Sequence, residues 1–148
     1  MAIRKRTWRD AGGFPENFPF NEDYVFARNL KRLGKKFYFT KKAIVYWKPR
    51  ENIQKAFLMF FYFAKGDANA YIFRPKVIII FLRYIIGVLL LFKSLVFSLL
   101  IILYFTWAIL KNYRYVKEWQ AFLFLPLLQI TSDLAVIAGT IWGTLKKQ

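Results

Sequence analysis

The chain has 148 residues, a formal charge of +16 and a hydrophobic share of 57%, with 21% aromatic residues. So much apolar and aromatic mass excludes a disordered polycation. The absence of both Cys and His excludes disulfides, thiolate nucleophiles, imidazole acid–base work and the commonest transition-metal ligands, which leaves carboxylates, hydroxyls, Lys and Arg for any chemistry.

Charge and grease separate near Arg74-Pro75-Lys76. Residues 1–76 carry 17 Lys/Arg and 6 Asp/Glu, whereas 77–148 carry 7 and 2. The first part reads as basic and water-facing. In chain order, 4–11 predicts a short helix ended by Gly12 and Gly13, followed by a loop through Phe14-Pro15-Glu16-Asn17-Phe18-Pro19, where the prolines exclude regular structure. Asn21 is placed to cap a helix whose first turn holds Glu22 and Asp23, where negative charge suits the helix dipole. Phe26, Leu30 and Leu33 fall on one face of that helix, and Gly34 ends it. Residues 36–39 and 43–47 read as two short strands, rich in aromatic and β-branched side chains. A helix follows Pro49 and runs through 57–63, its aromatic density placing it on a membrane surface. Two short strands are marginal alone, so the expected parallel sheet begins upstream of this sequence.

The second part is built from long apolar runs. Residues 77–110 are interrupted only by Arg83 and Lys93. As one helix they would extend about 51 Å, too long for a hydrocarbon core of about 30 Å. A fold near Lys93 and Ser94 gives two legs, 77–92 and 94–110, with Tyr71, Phe73 and Tyr113 as flanks and the Arg83 stem reaching back to the interface. The third run, 119–145, is interrupted by Pro126 and has Gln129, Thr131, Ser132 and Asp133 at its centre. An acid in the bilayer costs about 2.5–3.5 kcal/mol, which an interfacial or kinked re-entrant helix avoids. Two spans also keep residues 1–76, the basic connector 111–118 and the Lys146-Lys147 tail on one, cytoplasmic side. The basic start at Met1 has no apolar stretch after it, so no secretory signal is expected.

Among the eight acids, Glu22 and Asp23 stand out, because they follow a Gly/Pro-rich loop and open a helix. They serve either as pocket-facing carboxylates or as plain helix-start charge. Gly12 and Gly13 offer backbone N–H groups to a ligand oxygen, or simply a turn. Arg50, before a helix, suits a phosphate or stands solvated. Gly66 and Asp67 suggest a hinge or a helix stop. No Walker loop, GxGxxG or zinc-ligand spacing occurs. Nucleic-acid binding is not expected, since no such motif accompanies the basic residues.

Taken in order, the segments Gly12-Gly13-Phe14-Pro15-Glu16, Asn21-Glu22-Asp23-Tyr24, Leu33-Gly34-Lys35-Lys36, Tyr46-Trp47-Lys48-Pro49-Arg50 and Tyr62-Phe63-Ala64-Lys65-Gly66-Asp67 resemble the C-terminal part of a family 2 glycosyltransferase of the GT-A fold. The tail around Leu125-Pro126-Leu127, Asp133 and Gly139 is similar to one that many bacterial members carry. The resemblance implies a fold that is mainly α with a small β element. Residues 1–75 would be the C-terminal fragment of an α/β catalytic domain, 76–111 a transmembrane helical hairpin, and 112–148 a connector with an interfacial or re-entrant helix. It implies inverting sugar transfer from a nucleotide-sugar to a lipid-linked or cell-surface glycan acceptor at the bacterial cytoplasmic membrane. By the same resemblance Asp23 is the general base, Glu22 an acceptor contact, the Gly12, Gly13 and Phe14 loop the lining of the donor and acceptor pocket, and Arg50 the diphosphate contact. Many relatives have a metal-touching His where Trp47 stands. The family's nucleotide-binding half, with the Asp-x-Asp ligands for Mg or Mn, is expected outside this sequence. The alternative is a non-catalytic basic membrane protein that binds anionic lipid or an acidic partner.

Overall fold

The computed structural model describes residues 2–16, 20–46, 48, 50–72 and 74–146, with Ser94 by its backbone alone. The expectations that fall on Asn17, Phe18, Pro19, Trp47, Pro49, Phe73 and Lys147 lie outside the described residues. Six helices follow one another: α1 (Lys5–Asp10), α2 (Glu22–Arg32), α3 (Ile53–Asn69), α4 (Pro75–Leu89), α5 (Ser94–Val116) and α6 (Ala121–Leu145).

The small β element is not there: no strand forms among the described residues. Residues 35–40 and 43–46 are extended and joined by a turn, in which the Ala43 N–H donates to the Thr40 carbonyl at 3.4 Å. The flanks exchange no backbone hydrogen bonds among the described residues, and Tyr38, Phe39 and Tyr46 are about nine-tenths exposed. Two short strands gain stability only by laying an apolar face on something, and here no described residue covers either face.

The helical boundaries follow local chemistry. Gly12, Gly13 and Gly34 take positive φ, and Gly34 closes α2 with its N–H on the Lys31 carbonyl. Phe26 and Leu30 are buried, but Leu33 is half exposed because it sits beyond the last turn. Asn52 caps α3 by accepting the Lys55 N–H at 2.8 Å, the expected role of an Asn at that position. α3 then runs through Gly66 and Asp67, which are neither a hinge nor a stop.

The core is a helix pair. The small residues Ala135, Gly139 and Gly143 of α6 are buried against α3, Gly139 beside Phe61 and Ala64, Gly143 beside Lys65 and Ala68. Each step of four on α6 matches a step of four on α3, so the two helices run in the same direction. This is the small-xxx-small mode, in which missing side chains let backbones approach closely. α5 packs on the other end of α6 in the opposite direction, as shown by Tyr104 at Asp133, Lys111 at Gln129 and the Tyr113 ring 5.3 Å from Phe122.

α5 and α6 are the helices long and apolar enough to cross a membrane. They have 23 and 25 residues, or about 35 and 38 Å. α4 has 15 residues, about 22 Å, short of a hydrocarbon core of about 30 Å. α6 passes Pro126 without a break. The expected interruption at Pro126 therefore does not form. α5 is almost wholly uncovered, whereas α3 and α5 cover part of α6.

Candidate functional site

The proposed carboxylates sit at the start of α2. Asn21 precedes them with φ of 61°, and its side chain makes no cap bond. The expected cap fails because the amide is used elsewhere: Nδ2 donates to the Phe63 carbonyl and to Asp67 Oδ1, both at 2.9 Å. Left-handed backbone is one that Asn tolerates better than most residues. The turn thereby docks on α3. Phe20 stacks on Tyr62 with centroids 4.5 Å apart, and a Cβ on Gly66 would lie 2.9 Å from the Phe20 Cβ. Gly66 is therefore small to admit this turn.

Asp67 is buried and anchors the junction. Arg74 grips it with Nε at 2.5 Å and Nη2 at 3.0 Å, and the guanidinium lies 5.0 Å from the Tyr24 ring centroid. The hydrogen bond to Asp67 raises the Arg74 pKa above its ordinary value. One acid thus ties the α2 start, the end of α3 and the approach to α4 together.

Glu22 and Asp23 are exposed, and no cation pairs with either among the described residues. Asp23 Oδ1 accepts the Tyr24 N–H at 2.7 Å, which fixes the carboxylate at the helix start. The Gly12, Gly13 and Phe14 loop belongs to the same small unit. Gly13 is buried against the Trp8 indole, and the Phe14 ring lies 4.7 Å from Phe26 of α2. The structure therefore brings Glu22, Asp23 and the loop onto one helix. Arg50 stands apart: its Nε meets Met59 Sδ at 3.5 Å, and among the described residues no hydrogen bond, ion pair or ring contact ties it to α1, α2 or the loop. No three acids stand close enough among the described residues to share a cation.

A second polar cluster lies inside the apolar half. Asp133 of α6 is fully buried. It accepts from Arg83 Nη2 on α4, from the Tyr104 hydroxyl on α5 at 2.7 Å and from Gln129 Nε2 at 3.0 Å. Gln129 in turn accepts from Lys111 at 3.3 Å. Arg83 does not reach back to an interface as expected. Its guanidinium lies over the rings of Tyr104, Trp107 and Tyr84 at 4.7, 5.5 and 5.6 Å. A buried acid is tolerable when a cation and further donors meet it, and this one has all of them. The signal for the pair was visible: two apolar runs each contained one ionisable residue of opposite sign. The Asn21, Asp67 and Arg74 junction had no such signal, because polar residues near a helix end are ordinary.

Comparison of the chain with family models, with curated proteins and with solved structures finds no match.

Proposed function

We propose that the chain is the membrane-anchored, acceptor-side portion of an inverting family 2 glycosyltransferase, acting with a nucleotide-binding half supplied from outside the 148 residues. One observation carries this reading: exposed Glu22 and Asp23 stand at the head of the helix on which the Gly12, Gly13 and Phe14 loop packs. An acceptor hydroxyl must lose its proton as it attacks the anomeric carbon, and a fixed, solvent-accessible carboxylate does this. Asp23 is the base in this proposal, and Glu22 orients the acceptor. The Asn21, Asp67 and Arg74 junction ties the start of α2 to the approach to α4, an arrangement that suits an acceptor held at the membrane. In this proposal the nucleotide-binding half draws the segment before α3 toward the site, so that Arg50 meets the departing diphosphate.

The test is sugar transfer by membranes from cells that produce the chain together with whatever in-frame sequence lies upstream of it. A panel of nucleotide-sugars is offered, and label is followed into the lipid extract. Transfer from at least one donor is expected. An upstream sequence with no nucleotide-binding segment, together with no transfer, would overturn the proposal.

A second reading has its own observation. Lys35, Lys36, Lys41 and Lys42 lack acidic partners among the described residues and alternate with exposed Phe37, Tyr38, Phe39, Ile44, Val45 and Tyr46. Such a segment suits an anionic membrane surface, where each basic residue adds about 1 kcal/mol. Steeply salt-dependent vesicle binding with no donor binding would favour a non-catalytic membrane protein.

A further inference from the structure

The α4–α5 hairpin is not closed. The two helices are joined by a short turn at 90–93 and each packs on α6, and they meet through side chains where Arg83 lies over Tyr104 and Trp107. A cleft of about 760 Å³ lies between them. Its walls are hydrocarbon, with Ile79, Leu82 and Ile86 on α4 facing Leu100 and Ile101 on α5, and Ile130 of α6 at the base. A cleft this apolar, beside a helix able to cross a bilayer, is filled by chains and not by water.

The cleft has one charged end. Arg83 lines it, and its side chain is 30% exposed, whereas Asp133 behind it is 1% exposed. The cation of the pair therefore faces the cleft and the anion faces the protein. Only one Arg83 nitrogen bonds Asp133, and Nε is buried with no partner among the described residues, so this five-donor group is under-satisfied. Trp107 stands beside it. One turn further along α5, Lys111 Nζ lies 4.7 Å from the same indole. No acid lines the cleft among its described residues.

We infer that this cleft is a binding site for an anionic phospholipid, its acyl chain between α4 and α5 and its phosphate against Arg83 and Lys111. The charge complementarity decides the occupant: basic pockets between membrane helices select anionic head groups over zwitterionic ones. The Arg83 guanidinium offers forked donors to phosphate oxygens, and Lys111 adds a point charge. The site stands on the cleft alone and does not depend on sugar transfer.

Native mass spectrometry of the full chain in detergent, offered equal phosphatidylglycerol and phosphatidylcholine, tests it. The Arg83 charge is offset by Asp133, whereas no acid pairs Lys111 among the described residues, so Lys111 predicts retention of phosphatidylglycerol by about fivefold over phosphatidylcholine, and Lys111→Gln removes that preference. Gly87 lines the cleft, and a Cβ there meets nothing within 4 Å. Gly87→Leu therefore fills the cleft without straining the helix, and bound lipid is lost while helical content is unchanged. Equal retention of the two lipids, or retention that survives Gly87→Leu, overturns the inference. Stoichiometric displacement of phosphatidylglycerol by a polyprenyl phosphate also overturns it, because the cleft would then hold an isoprenoid chain.

Discussion

Substituting Gly139 by Ala tests the packing of α3 on α6 with one carbon. The ideal Cβ would lie 2.2 Å from the Phe61 carbonyl oxygen and 3.0 Å from the Ala64 Cβ. Ordinary contact begins near 3.4 Å, so the backbones must part by about 1 Å, and a backbone oxygen cannot swing aside as a side-chain tip does. Overpacking of this kind costs about 1–3 kcal/mol. Against that stands a gain of up to about 1 kcal/mol from replacing Gly by Ala within a helix. The net expectation is a loss of up to about 2 kcal/mol. Gly87→Ala is the control, since its Cβ meets nothing within 4 Å, and it should gain about 0.5–1 kcal/mol. Denaturant titration in detergent micelles, followed by circular dichroism, gives both values. If Gly139→Ala is as stable as Gly87→Ala, the two helices do not touch at this point and the small-residue argument fails.

Other expectations follow from the polar clusters. Arg83→Met leaves Asp133 buried without its cation and should cost about 3–5 kcal/mol, whereas the Arg83→Met, Asp133→Leu double variant recovers most of the loss. Additive losses in the same titration would mean the two residues do not act as a pair. Asp67→Ala removes the acceptor of Asn21 and Arg74, and should cost about 1–3 kcal/mol. It should also speed limited proteolysis between α1 and α2 while leaving α5 intact; unchanged cleavage would contradict the docking of that turn. The Glu51 carboxyl is held below its ordinary value of 4.5, first by Lys55 and then by Lys48. Those contacts are in place above that value and are lost as pH falls below it. Because the group is more than half exposed, only local fraying of the first turn of α3 is expected by amide exchange. Fraying centred above pH 5 would point to another group.

Local chemistry made much of the fold legible. The glycine stops, the α2 face of Phe26 and Leu30, and the apolar runs all appear where the residues require them. The misses all turn on tertiary partners, whether one that overrides local preference or one that local preference needs and does not find. Asn21 gave up its cap to reach Phe63 and Asp67. Asp133 looked too costly to bury until Arg83, Tyr104 and Gln129 met it. Residues 36–39 and 43–46 carry strand chemistry, but a strand needs a neighbour to bond, and none is present among the described residues. Of the candidate site, Gly12, Gly13, Phe14, Glu22 and Asp23 share one small unit, whereas nothing in the sequence told how far Arg50 stands from that unit's contacts.

The proposed role of Asp23 is decided by the rate of sugar transfer by Asp23→Asn, measured in the sugar-transfer assay described above. Asn keeps the size and the hydrogen bond to the Tyr24 N–H but cannot take a proton. A general base predicts kcat lower by about 10²–10⁴-fold, with donor KM and membrane insertion unchanged. Turnover at the wild-type rate would contradict the assignment, and with it the reading of the exposed carboxylate pair as the catalytic end of α2.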